Sequence, residues 1–129
     1  MPITPALTLV ERAKARIETL SLDEAKARAD RGEAVLVDIR DIRELDREGR
    51  IPGAIHAPRG MLEFWVDPQS PYHREVFATD KQLIVFCAAA MRSALAVATL
   101  KDMGVENVAE MDEGFSGWTA RGLPVERRD

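Results

Sequence analysis

The sequence predicts an α/β domain built on a largely parallel sheet. Short runs at 34–39 and 83–86, rich in β-branched residues, and a further run at 107–111 read as strands, and segments with helical apolar spacing separate them. Glycine and proline punctuation at Gly32, Gly49, Pro52, Gly53 and Gly104 falls between those segments. With 129 residues, 46% hydrophobic and 31% charged, the chain is large enough for one core without disulfide or metal staples.

Each element follows from its residues. Leu7, Val10, Ala13, Ile17 and Leu20 recur at helical intervals, predicting one amphipathic helix over 6–20. Ser21 with Glu24 three residues on reads as a capping box, and the helix it opens ends near Gly32. Residues 34–39 form a buried strand, and the charged stretch 41–48 a solvated helix stopped at Gly49. The segment Ile51-Pro52-Gly53-Ala54-Ile55-His56 is a turn into a short strand. Residues 59–80, with Trp65, Pro68, Pro71 and Tyr72, read as short helices with irregular connections. A strand at 83–86, a helix from Ser93, a strand at 107–111 and a turn-rich stretch at 114–118 complete the chain. The expected organisation is an N-terminal helical extension, 1–20, and one domain, 21–129.

Bulk properties narrow the function. A net charge of −4 with few aromatics argues against nucleic-acid binding. No run approaches the roughly 18 apolar residues of a membrane span, and residues 1–5 do not open a leader peptide. The single cysteine fits a reducing compartment, so a cytoplasmic location is expected. Neither His56 nor His73 has metal-ligand spacing with another soft ligand, so no metal is expected. No glycine-rich phosphate loop is present, and no cofactor is called for.

That cysteine, Cys87, stands where chemistry is easiest. It follows the apolar strand and precedes Ala88-Ala89-Ala90-Met91-Arg92-Ser93, which runs into a helix. A thiol at this switch faces backbone N–H groups and the positive end of a helix dipole, both of which favour thiolate. Arg92 adds a fixed positive charge at the rim.

Several separated motifs agree with this loop. They are Asp38-Ile39-Arg40, Gly49-Arg50-Ile51-Pro52-Gly53-Ala54, the Cys87 loop, Gly114-Phe115-Ser116-Gly117-Trp118, and Gly122-Leu123-Pro124-Val125. In this order they resemble a single-domain rhodanese, a sulfurtransferase of the thiosulfate:cyanide class, over roughly residues 21–126. The resemblance implies a roughly five-stranded parallel sheet flanked by helices, with Cys87 cycling between thiol and persulfide. The loop amides of Ala88, Ala89, Ala90, Met91 and Arg92 are expected to hold the extra sulfur, and the Arg92 guanidinium an anionic donor. Ser93, Asp38 and Arg40 are expected in support. For Asp38 and Arg40 the expectation is scaffolding, with Asp38 capping amides and Arg40 paired to a carboxylate such as Glu44. Arg59, after Ala57-Pro58, either helps attract an anion or is an ordinary surface arginine. The expected partners are a small sulfur-containing anion or thiol, or a protein donor or acceptor. The first helix can bury its apolar face on a second copy or on its own domain.

The sequence departs from the family pattern in two places. Many such loops carry glycine at the position of Ala90, so alanine either accepts a strained conformation or the loop bends differently. Ala88, Ala89 and Ala90 supply no cation, which makes thiosulfate a poor expected donor. Tyrosine-type phosphatases and arsenate reductases use a cysteine, five residues and an arginine. Here four residues separate Cys87 from Arg92, a tighter ring suited to one sulfur atom. A non-enzymatic binding module on the same fold is the other alternative.

Overall fold

The structure is a computed structural model that describes residues 2–127. In chain order its elements are α1 (Ala6–Lys14), β1 (Glu18–Leu20), α2 (Leu22–Asp30), β2 (Ala34–Asp38), α3 (Ile42–Glu48), β3 (Ile55–His56), α4 (Leu62–Val66), β4 (Gln82–Phe86), α5 (Arg92–Asp102), β5 (Val108–Met111) and α6 (Gly114–Ala120). Two 3-10 turns, Arg59–Met61 and Glu75–Phe77, flank α4 and the segment after it. The five strands form one parallel sheet in the order β1-β5-β4-β2-β3.

Alternation along the strands divides the core between the sheet's two faces. Leu83, Val85 and Cys87 point to one face with Ala96, Val97 and Leu100 of α5 and Leu62 and Val66 of α4. Ile84 and Phe86 point to the other, with Leu22 and Ala25 of α2 and Phe115 and Trp118 of α6. The chain leaves β2 toward one edge and β4 toward the other. The crevice beyond the carboxyl ends of β2 and β4 is therefore the place where such sheets receive ligands.

Two elements differ from the sequence reading. The expected helix over 6–20 stops at Lys14, and Glu18–Leu20 pairs in parallel with β5 as an edge strand. The three-residue spacing of Ile17 and Leu20 suits a helix, but pairing to β5 overrides it and sends the two side chains to different core clusters. The stretch 114–118 is helical rather than turn-like, because Phe115 and Trp118, three apart, both bury against the sheet. Its glycines are steric requirements. A Cβ at Gly114 would lie 2.3 Å from the Cys87 carbonyl oxygen, and one at Gly117 2.4 Å from Glu113 Cβ.

Capping also differs in detail. Ser21 accepts from the Glu24 amide at 3.1 Å, but the Glu24 carboxylate turns to Arg28. The reciprocal box is at α3, between Asp41 and Glu44. The apolar face of α1 lies on its own domain, with Val10 and Ala13 against Ala94 and Ala98 of α5.

Candidate active site

Cys87 follows β4 directly, only 1% exposed, and its position is fixed from behind. The Phe115 amide donates to the Cys87 carbonyl at 2.8 Å, and the Ser116 amide to that of Ala88 at 3.0 Å. On the β2 side, the Ile39 amide donates to the Phe86 carbonyl at 3.0 Å. The loop then turns through Ala90, which takes the left-handed conformation at φ 60° while buried. The alanine therefore adopts the conformation that glycine would adopt freely, and carries the strain.

Helix α5 begins at Arg92 with no side-chain cap on its first amides. The amides of Ala89, Met91 and Ser93 are directed instead at the cysteine sulfur. Cys87 Sγ also lies 3.6 Å from Ser93 Oγ. Burial pushes the Cys87 thiol up. The Ser93 amide and hydroxyl, with the Ala89 and Met91 amides, outweigh it and leave the thiol below its ordinary value.

Arg92 is not a free guanidinium. It is bound to Glu44 of α3 through both nitrogens, at 2.7 and 3.1 Å. This pair holds Glu44 below the usual carboxylate range and Arg92 above its own ordinary value. The expected partner of Glu44 was Arg40. The fully buried Arg40 instead pairs with Asp38 at 2.8 Å, donates to the Gly49 carbonyl at 2.9 Å, and stacks 3.8 Å above the Phe115 ring. Asp38 also accepts from the Arg40 amide, as its capping role required. Arg59 is bound to Glu63 at 2.6 Å and half-buried.

Ser93 is fully buried, and its hydroxyl donates to Glu110 at 2.7 Å. Glu110, in the middle of β5, is also fully buried and accepts from Lys14 of α1 and Thr19 of β1. Sequence reasoning passed over Glu110 and Lys14, and gave Glu44 to Arg40 rather than to Arg92. One signal was available, a carboxylate standing alone among Val108, Ala109 and Met111 in a run read as a strand.

The histidines are structural. His56 Nε2 lies 2.7 Å from the Arg40 carbonyl oxygen, and His73 Nδ1 2.9 Å from that of Trp65. A cavity of about 520 Å³ lies away from this chemistry, lined by Leu36, Ile51, Ile55, Trp118 and Pro124 among others, with no residue of the Cys87 loop.

A five-stranded parallel sheet presenting a buried thiol from a strand-to-helix loop defines the class: an α/β protein with a cysteine at the carboxyl end of a central strand. Within that class the chain belongs to the rhodanese-like domain family, whose model matches residues 21–121. A curated sulfurtransferase from Allochromatium vinosum is 29% identical over 97 residues, covering 75% of this chain and 82% of that protein. A structure from Rhodopseudomonas palustris, described as a protein of unknown function and possible tyrosine phosphatase, is 45% identical with a TM-score of 0.90. It covers 98% of this chain and 99% of that one. The polysulfide-sulfur transferase homodimer from Wolinella succinogenes is 30% identical with a TM-score of 0.73, over 95% of this chain and 87% of that one. These similarities make the chain, at family level, a rhodanese-like sulfurtransferase. Among the described residues, no helix is long and apolar enough to cross a membrane.

Proposed function

We propose that the protein moves sulfane sulfur from a donor to a thiophilic acceptor through a persulfide on Cys87. The observation that carries this reading is the seat of Cys87 Sγ, buried at the uncapped start of α5 and 3.6 Å from Ser93 Oγ. In the first half-reaction the Cys87 thiolate bonds to the outer sulfur of the donor, and the donor's S–S bond breaks with its pair on the leaving fragment. In the second, an acceptor thiolate or cyanide bonds to the terminal sulfur. The Cys87–sulfur bond then breaks, and its pair returns to Sγ. The loop amides hold the terminal sulfur between the two steps.

The charge pattern favours organic persulfides, which carry at most one charge at the reacting sulfur, over the dianion thiosulfate as donors. Arg92, Arg59 and Arg40 are each bound to a carboxylate, so no described arginine around the site offers an unshared charge to a dianion. The name of the Wolinella relative points to polysulfide as a further donor class. The acceptor is a small thiol or a thiol on another protein, and a reducing compartment such as the cytoplasm suits the unpaired cysteine. The same pairing disfavours phosphate-ester hydrolysis, which needs a free guanidinium and, in the phosphatases, a loop longer by one residue.

Intact mass spectrometry tests the reading. The protein should gain one sulfur from polysulfide, and more slowly from thiosulfate. Cyanide or dithiothreitol should remove it, and Cys87→Ser should never acquire it. A mass unchanged by every donor would leave the binding-module alternative. Efficient hydrolysis of p-nitrophenyl phosphate, abolished by Cys87→Ser, would favour phosphatase chemistry.

A further inference from the structure

Glu110 is buried inside an apolar strand, and the sulfur-transfer steps above assign it no task. A carboxylate in such a place persists only with its charge answered. Both of its oxygens are occupied. Oε2 accepts from Lys14 Nζ at 2.6 Å and Thr19 Oγ1 at 2.8 Å, and Oε1 accepts from Ser93 Oγ at 2.7 Å. Ser93 Oγ in turn lies 3.6 Å from Cys87 Sγ and accepts from the thiol. A continuous chain therefore runs from Lys14, 36% exposed at the surface, through Glu110 and Ser93 to the reacting sulfur.

The Ser93 hydroxyl has one proton to give. While Cys87 is a thiol, its S–H donates to Ser93 and Ser93 donates to Glu110, so every group is satisfied. Once Sγ is a thiolate, that arrangement aims an oxygen lone pair at an anion. The hydroxyl must then turn to the sulfur, and Glu110 loses that bond. Lys14 and Thr19, on the other oxygen, are what let Glu110 release it.

We propose that Glu110 and Lys14 are positioning residues for sulfur transfer, deciding whether the Ser93 hydroxyl donates to the carboxylate or to the reacting sulfur. The proposal rests on the Cys87 persulfide reading and adds the control of its leaving group. When the acceptor bonds to the terminal sulfur, the electron pair of the breaking bond arrives on Cys87 Sγ. The Ser93 proton swings from Glu110 to meet it, with no proton leaving the chain of groups. The charged and polar neighbours are few. Glu110 faces Lys14 from α1, Thr19 from β1 and Ser93 from α5. Cys87 faces Ser93 and Arg92 from α5, and Arg92 is bound to Glu44 from α3. Lys14 lies outside the segment 21–121 that matches the family model, so this chain completes the site from its N-terminal helix.

The test is the pH dependence of Cys87 alkylation by iodoacetamide, together with sulfur loading from polysulfide. It is made on wild type, Lys14→Met, Lys14→Arg, Glu110→Gln and the Lys14→Met/Glu110→Gln double variant, with circular dichroism on each. Lys14→Met removes the ammonium that shares Glu110, so the carboxylate depends more heavily on its remaining donors, Ser93 and Thr19. The alkylation midpoint should rise by about one pH unit and loading at pH 7 should slow roughly tenfold. Lys14→Arg should restore both. Glu110→Gln removes an anion near Sγ and should lower the midpoint, and in that background Lys14→Met should lose its effect. A folded Lys14→Met with the wild-type midpoint overturns the proposal, as does an equal shift with and without Glu110. If Glu110→Gln fails to fold, the Lys14 Met and Arg variants decide alone. Should no donor load sulfur onto wild type, the transfer reading fails, while the midpoints still judge the Lys14–Glu110–Ser93 coupling.

Discussion

Replacing Gly114 by alanine tests how tightly the reactive loop is seated, with Gly122→Ala as the internal control. Both glycines have positive φ, 57° and 69°, so both substitutions incur left-handed strain of roughly 1–2 kcal/mol, offset in part by a less flexible unfolded chain. They differ in their surroundings. A Cβ at Gly122 meets nothing within 4 Å, whereas one at Gly114 falls 2.3 Å from the Cys87 oxygen and 2.8 Å from the Ala88 oxygen. Those are backbone atoms, and no flexible side chain can give way. Relief requires α6 to retreat from the loop, stretching the Phe115 and Ser116 amide bonds that hold it. Overpacking of this kind costs about 1–3 kcal/mol. Gly114→Ala should therefore lose about 2–4 kcal/mol, and Gly122→Ala about 1 kcal/mol. Urea unfolding with a shared m-value measures both, and the alkylation rate of Cys87 reports the loop directly. Equal losses for the two variants, with unchanged Cys87 reactivity, would refute the account of the loop as clamped between β4 and α6.

Glu44→Gln should release Arg92 and improve thiosulfate as a donor. An ion pair this exposed is worth about 0.2–1 kcal/mol, so kcat/KM for thiosulfate should rise by at most about fivefold, with little change for an organic persulfide. The Cys87 thiol lies below its ordinary value, so iodoacetamide alkylation should rise with pH and level off at a midpoint below about 8.5. A depressed folded-state value also means that the thiolate stabilises the fold above the unfolded value, and that this is lost as pH falls through the folded one. Ser93→Ala should move the midpoint upward, because it removes one of the donors that outweigh burial. Ala90→Gly should relieve left-handed strain at the cost of a more flexible unfolded chain, for a net gain of about 0–1 kcal/mol in thermal unfolding. A clear loss would contradict the strained loop.

The Cys87 loop was legible because its determinants are consecutive. A β-branched strand, a cysteine, small residues and a helical repeat define a strand-to-helix turn whatever the rest of the chain does. Partners distant in sequence were not legible. Arg92 finds Glu44 and Lys14 finds Glu110 only because the sheet order β1-β5-β4-β2-β3 sets α3 and α1 beside α5. The expected Arg40–Glu44 pair had the right chemistry and the wrong competitor. Asp38, two residues from Arg40 and buried with it, closes that pair and leaves Glu44 for Arg92. Residues 18–20 show the same limit in the backbone. Three residues cannot declare a period, and the unpaired edge of β5 made them a strand.

The paired charges and the exposed amides answer two different needs. A thiol that is 1% exposed gains little from a cation on a screened surface. It gains more from N–H dipoles already fixed against it in the dry interior. Arg92 bound to Glu44 therefore costs the nucleophile little, while it removes the attraction that would fill the site with inorganic dianions. The buried charge that does lie near the sulfur, Glu110, is negative and is matched by Lys14, which leaves the loop without an unanswered anion beside it. In such a setting the strongest fixed preference is for one extra electron pair on a sulfur atom ringed by amides. Under the proposed transfer, the Cys87 thiolate and the terminal sulfur of its persulfide would both meet that preference, so the same loop would serve the loading and the release of sulfur.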